Sequence, residues 1–281
     1  MISIIICSRR TTIPDYLSIN IKKTIGCEFE LIVIDNSENK YSIFEAYNMG
    51  IEKSKGEYLC FFHDDILIHT NDWGQIVQAI FNNKKEIGLI GVAGSKTKSK
   101  MASAWWNCPQ KNIVVNIIQH TFDNKIEKQT VGFNHDNTFE EVVVIDGVFM
   151  VMRKIDSIIF SKKMNGYHNY DLNISFEYNI NGFKIVVINE VLIEHFSQGN
   201  IDDSWYASTF KIHSLYNKYL PLKAEAITTK NNELDIGIHF IEKAIKIGEK
   251  KIAFKVWLQL FYLNPFTKFH FQIFRILLKK C

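Results

Sequence analysis

The sequence has no Cys-x-x-Cys pair. Its five cysteines, Cys7, Cys27, Cys60, Cys108 and Cys281, are odd in number and widely spaced. That excludes a disulfide framework and a cysteine zinc site of ordinary spacing, and it points to a reducing compartment. No uninterrupted apolar run is long enough to cross a bilayer. The apolar start ISIIIC (2–7) is followed, not preceded, by Arg9 and Arg10, the reverse of a signal peptide, so a cytoplasmic protein is expected. Neither sign of charge prevails: 33 Lys and Arg against 30 Asp and Glu leave +3 over 281 residues, which gives no argument for a nucleic-acid partner. There is no internal repeat or low-complexity stretch. The glycines of GVAGS (91–95) lack the GxGxxG or GKS pattern of a phosphate loop. What is present is 47% hydrophobic and 22% charged, enough for a sizeable core in one large domain or a domain plus an appendage.

The first 65 residues alternate between two patterns. ISIIIC (2–7), ELIVID (30–35) and EYLCFFH (57–63) are short β-branched or aromatic runs of the kind that fill buried parallel strands. Between them, PDYLSINIKKTIG (14–26) opens on proline and closes on glycine as helices do, and a second helix is expected over about 41–54. Three strands alternating with two helices predict an open, mostly parallel α/β sheet. Further on, 73–83 reads as a helix, 87–94 as a strand, and 95–141 as a long irregular insert with strand-like character near 112–118. Strands are expected at 142–154, 183–189 and 191–196, and helices over about 170–181 and 205–219.

In open α/β sheets, ligands bind beyond the carboxyl ends of the strands. Those ends carry Ser8-Arg9-Arg10, Asp35-Asn36-Ser37 and His63-Asp64-Asp65. Taken singly, each acid could cap a helix or sit in a solvated turn; two acid-bearing strand ends side by side suit a ribose, a base or a metal ion.

The segments ISIIICSRR, ELIVIDNSEN and AYNMGIEKSKGEYLCFFHDD together resemble the nucleotide-binding half of the GT-A glycosyltransferases, in particular the inverting family 2 group. Later segments fit the same pattern in order: IDGVFMVMRK resembles the acceptor-side strand, GYHNYDLNISFEYNINGFKI the acid that precedes a helix ending in Gly-Phe-Lys, and IEHFSQG the strand whose histidine completes a metal site. The resemblance spans about residues 1–200. It implies an α/β GT-A domain, expected over 1–221, and a change of composition near Pro221 sets off a helical subdomain over 222–281.

It also implies roles. Asp65 matches the last acid of the DXD motif and would bind a divalent cation that offsets the charge of a nucleoside diphosphate leaving group. His195 would be a second ligand, or merely a hydrogen-bonded histidine. Asp64 would lie near the ribose or sugar, and Asp35 near the base, with Ser8, Arg9 and Asn48 beside it. His63 stands where many relatives carry the first acid of the motif. Imidazole suits Mn²⁺ better than Mg²⁺, which leaves the metal open between the two. The general base is Asp171 or Asp146. Asp171 has Tyr170 where relatives show a second acid, and an N-cap is its alternative role. Trp105 and Trp106, in the insert, could stack on an acceptor sugar or pack in the core.

Past Pro221 the strand signals cease, and amphipathic helical patterns occupy roughly 233–247, 249–262 and 266–280. From Lys250 onward there are seven basic residues (Lys250, Lys251, Lys255, Lys268, Arg275, Lys279 and Lys280) and no Asp or Glu. This segment is either a packed helical subdomain or a surface for membranes or a partner. The expected activity is metal-assisted transfer from a nucleotide-sugar donor to a saccharide or lipid-linked saccharide, at the inner face of a membrane. A non-catalytic sugar-binding or scaffold protein is the alternative. A nucleotidyltransferase is disfavoured because CSRRTTIPD lacks the glycine and lysine such enzymes carry after the first strand.

Overall fold

The computed structural model describes residues 1–278 apart from positions 122, 124, 136, 198, 200, 225, 227 and 228, and the side chains of 276–278 are also outside it. Lys279 and Lys280 of the basic segment therefore lie outside the described residues.

The chain opens with β1 (Ile2–Ser8), α1 (Asp15–Thr24), β2 (Phe29–Asp35), α2 (Ile43–Lys53), β3 (Tyr58–Phe62), β4 (Ile66–Ile68), α3 (Trp73–Asn83), β5 (Ile87–Gly91), β6 (Ala93–Ser95) and β7 (Thr97–Lys98). It continues with β8 (Ile113–His120), β9 (Ile126–Val131), β10 (Phe139–Val142), β11 (Val144–Ile145), β12 (Phe149–Arg153), α4 (Tyr170–Ile180), β13 (Lys184–Ile188), β14 (Ile193–His195) and α5 (Asp203–Tyr216). The last elements are β15 (Leu222–Lys223), α6 (Lys230–Lys246), α7 (Lys250–Leu263) and α8 (Lys268–Leu278). The α2 start is a capping box, with Ser42 and Glu45 satisfying each other's backbone donors.

The main sheet has the order β10-β13-β5-β12-β3-β1-β2. β2, β1 and β3 run parallel, as do β5 and β13, while β12 runs antiparallel between β3 and β5 and β10 caps the edge antiparallel to β13. Strand alternation in β1 divides the core. Ile2, Ile4 and Ile6 pack against Leu17 and Ile21 of α1 and Trp73, Val77 and Phe81 of α3. Ile5 faces the other side, with Phe44 and Tyr47 of α2, Phe176 of α4 and Ile212 of α5.

Three expectations require correction. The run at 87–94 is not one strand: it crosses at Val92 from the main sheet into a second sheet, ordered β11-β6-β8-β14-β4 with β9 paired to β8. The run at 142–154 breaks likewise into the end of β10, then β11, a turn at Asp146–Gly147–Val148, and β12. Residues 95–141 are not an irregular insert but supply β7, β8, β9 and part of β10. β9 (IEKQTV) is exposed at every position, so it has no apolar alternation to announce it.

Family-like strands and the C-terminal helices are stitched together. β15 pairs antiparallel with β7. A third core joins Met101, Ala102 and Tyr206 to Phe240 and Ile241 of α6, Val256 and Leu260 of α7, and Ile273 of α8.

Candidate active site

The two sheets meet where β3 ends. β3 stops at Phe62, and His63-Asp64-Asp65 bridges to β4, which pairs with β14 so that Ile66 faces His195. On its other side β14 runs parallel to β8, with His195 opposite Gln119. The seam thus gathers residues from three chain segments. His195 Nε2 lies 3.5 Å from Asp65 Oδ1 and 3.3 Å from His63 Nδ1, and His63 Nδ1 lies 3.8 Å from the same Asp65 oxygen. Among the described residues, these three form the one group of side chains placed to hold a metal ion. Three ligands at about 2.1 Å from a shared ion sit roughly 3.0–3.5 Å apart, so the cluster needs little closure to bind one.

The histidine tautomers fit that role. Gln119 donates its amide N–H groups to the carbonyls of Ser197 (2.7 Å) and His120 (2.9 Å), which turns Oε1 toward His195 and accepts from His195 Nδ1 at 3.0 Å. Nε2 is then the unprotonated nitrogen, and it faces Asp65 and His63. His63 Nε2 meets the Tyr170 hydroxyl at 2.6 Å, so His63 also has its outer nitrogen engaged and Nδ1 directed inward. Burial favours a neutral Asp65, but the contacts with His195, Ser197 and the nearby His63 outweigh it and hold the carboxyl well below the usual range. Burial and the neighbouring His195 lower the pKa of His63, which favours its neutral ring.

Asp64 turns the other way. It accepts a hydrogen bond from Ser8 Oγ at 2.9 Å, and Ser8, fully buried at the end of β1, also accepts from Arg10 N at 3.1 Å. Asp35 pairs with Ser8 in the β1–β2 ladder but points to solvent; the backbone and side chain of Ser37 lower its pKa. Arg9 is exposed just beyond β1. These four residues share one strand-end rim. Asn48 does not join them. Both ends of its amide are held by the backbone of Phe160, at 2.8 and 2.9 Å, so it clips a loop to α2.

The two acids proposed as bases are distinguished by their partners. Asp146 has both oxygens engaged: Oδ1 accepts from Val148 N at 2.7 Å and Oδ2 from Trp105 Nε1 at 2.6 Å. Asp171 lies in the first turn of α4, whose N-cap residue is Asn169, so Asp171 is not the cap. One of its oxygens accepts from Leu172 N at 2.8 Å. Desolvation, reinforced by the charge of Asp146, raises its pKa to about 7.

Trp105 is partly buried and supports the site from behind. Its indole N–H is spent on Asp146, and its ring packs against both main cores. Trp106, edge-on to Trp105 with ring centroids 5.6 Å apart, is 41% exposed and opens onto a groove of about 510 Å³ with Trp205, Tyr206, Phe240, Lys243 and Lys246. Three site residues escape sequence reasoning. Gln119 reaches His195 only through parallel strand pairing. Tyr170 looks like a missing acid. Gly147 leaves room for the Tyr170 ring, which a Cβ at that position would strike.

Comparison with known proteins decides the affiliation. Residues 4–223 match the model described as Glycosyltransferase like family. The chain belongs to that family. It is a glycosyltransferase with the GT-A fold. GalNAc-T7, solved with UDP, GalNAc and Mn²⁺, superposes with a TM-score of 0.52 at 10% identity; the match covers 91% of this chain but only 54% of that one. TarS of S. aureus in complex with UDP-GlcNAc gives a TM-score of 0.45 at 12% identity over 96% of this chain and 72% of that one. A curated protein of Fuscovulum blasticum named "ATP synthase subunits region ORF 6" is 20% identical over 195 residues, covering 68% of this chain and 73% of its own length.

Proposed function

We infer that this glycosyltransferase transfers a sugar from a nucleotide-sugar donor to a saccharide or lipid-linked saccharide with inversion, assisted by a divalent cation. The observation that carries the reading is a two-histidine, one-carboxylate cluster whose His63 is bound to Tyr170, the residue beside Asp171, a carboxylate whose raised pKa suits a base. A UDP-bearing neighbour solved with Mn²⁺ on the same fold supports the donor class.

The residues fit a borderline cation such as Mn²⁺ better than Mg²⁺, because two of the three ligands are imidazoles. When bound, the cation supplies the positive charge that stabilises the departing diphosphate. His63, Asp65 and His195 would hold it, with Gln119 and Tyr170 fixing the two rings. Ser8, Arg9, Asp35 and Asp64 form the rim for the nucleotide. Asp171 takes the proton from the acceptor hydroxyl as that oxygen attacks the anomeric carbon. The bond from that carbon to the phosphate oxygen breaks, and the nucleoside diphosphate leaves with the electron pair. Asp146, held by Val148 and Trp105, helps raise the pKa of Asp171. Trp106 and the groove beside it would receive the acceptor. Scattered, unpaired cysteines support a cytoplasmic setting.

Calorimetry with UDP-, GDP- and dTDP-sugars, with and without Mn²⁺, tests the reading. Mn²⁺-dependent binding of one of them, lost in Asp65→Ala, is expected; metal-independent binding with unchanged affinity in Asp65→Ala removes the metal from the account.

A further inference from the structure

The outer faces of the last three helices differ in kind. On α6 the exposed residues include Asn231, Asp235, Glu242, Lys243 and Lys246, an ordinary solvated face. On α7 the inward residues Ala253, Val256 and Leu260 are fully buried, while Lys251, Phe254, Lys255, Leu258, Phe261 and Tyr262 lie outward at helical spacing. α8 repeats the pattern. His270 and Ile273 are buried, with His270 taking a hydrogen bond from Trp257 of α7 at 3.1 Å. Lys268, Phe271, Phe274 and Arg275 face out. The loop between the helices presents Phe266.

The exposures are far beyond scattered surface apolars: Phe266 is 95% exposed, Tyr262 85%, Phe271 77% and Phe274 53%. Both helices are already anchored by their opposite faces, so these rings are not waiting for a packing partner within the described fold. Basic residues are interleaved with them, and no acid occurs from Lys250 to the end of the chain. No described helix is long and apolar enough to cross a membrane.

We propose that the α7–α8 face docks on the surface of an anionic lipid bilayer, its Phe and Tyr rings entering the headgroup–acyl boundary while Lys251, Lys268 and Arg275 meet lipid phosphates. Aromatic rings and basic side chains on one face, without acids, are complementary to such a surface: apolar insertion supplies part of the affinity and charge the rest.

The test is co-sedimentation of the full chain with vesicles of phosphatidylcholine alone and of phosphatidylcholine mixed with phosphatidylglycerol, at low and high salt. The chain is expected to bind the anionic vesicles and to lose that binding at high salt. Each basic residue contributes about 1 kcal/mol at such a surface, so Lys268→Gln with Arg275→Gln is expected to weaken binding about thirty-fold. Phe266→Ser with Phe271→Ser removes only exposed rings, leaves the melting temperature unchanged, and is expected to abolish sedimentation. Failure of the intact chain to bind anionic vesicles at low salt overturns the proposal, as does undiminished binding by the Phe266→Ser, Phe271→Ser variant. A dimer that light scattering detects in the intact chain and not in that variant, without vesicle binding, assigns the face to a second copy instead.

Discussion

His195 and Gln119 stand opposite each other across the parallel β14–β8 ladder, and the hydrogen bond from His195 Nδ1 to Gln119 Oε1 (3.0 Å) leaves Nε2 bare toward Asp65 and His63. A residue 76 positions away thus determines which nitrogen of this strand-end histidine carries the proton.

Gln119→Leu keeps the side-chain bulk and removes that acceptor. Loss of such an outer partner costs roughly 10- to 100-fold in metal affinity. Mn²⁺ titration followed by electron paramagnetic resonance, in the presence of UDP, is expected to show a loss in that range with an unchanged far-ultraviolet circular dichroism spectrum. Unaltered Mn²⁺ affinity would mean that His195 does not ligate.

As the proposed base, Asp171 is expected to set the pH dependence of turnover. Its carboxyl is protonated below about pH 7 in the folded chain and must lose that proton to act as base, so kcat is expected to rise through pH 7 and level off above it. The folded pKa lies above the unfolded one, so the fold binds this proton more tightly. The stability it contributes is therefore full below the ordinary aspartate range and declines as pH rises toward 7. In Asp171→Asn both trends should vanish: chemical denaturation at pH 5 and pH 8 should differ less than in the parent, and the low-pH limb of any residual rate should disappear. A kcat profile flat from pH 5 to 8 in the parent would contradict the assignment.

Gly147→Ala places a methyl group against the Tyr170 ring and hydroxyl, at a position where the chain turns between Asp146 and β12. Tyr170 must then leave His63 Nε2. Overpacking of this kind costs about 1–3 kcal/mol. The expected result is a lowered denaturation midpoint together with weakened Mn²⁺ binding, whereas a purely steric defect would lower the midpoint alone.

Much of the frame could be read from sequence, for reasons visible in particular residues. The boundaries of α1, α2, α3 and α4 follow Pro14, Ser42 and the apolar spacing within each segment, and β1 to β3 follow from β-branched runs with no competing pattern. Local chemistry decides those elements. The second sheet was hidden because the apolar run through Val92 continues from one sheet to the other without a break, and because β9 earns its strand state only from β8. Within the site, His63, Asp65, His195 and Asp171 stand out as chemistry-bearing residues at element ends. Gln119, the Trp105 bond to Asp146 and the use of Asn48 on Phe160 depend on contacts between segments 41 to 112 residues apart, which spacing along the chain does not encode.

Glu233 shows the same long-range dependence at the helical end. This buried first-turn residue of α6 accepts hydrogen bonds from Ser99 Oγ at 2.7 Å, Lys100 N at 3.0 Å and Met101 N at 3.3 Å. It thereby pins the loop that leads to Trp105 and Trp106. Glu233→Ala strands those donors, each at about 1–3 kcal/mol if it finds no water. Lowered stability is expected, with faster hydrogen exchange at 99–101. Exchange unchanged in that loop would show that the latch is dispensable.

The most direct test is nuclear magnetic resonance of the sugar released when the intact chain, with Mn²⁺, turns over its nucleotide-sugar donor onto water or an acceptor. The first-formed product is expected to carry the opposite anomeric configuration to the donor, and Asp171→Asn is expected to slow its formation by roughly 100-fold or more while donor binding persists. Retention of configuration in that product, or an undiminished rate in Asp171→Asn, would contradict the account.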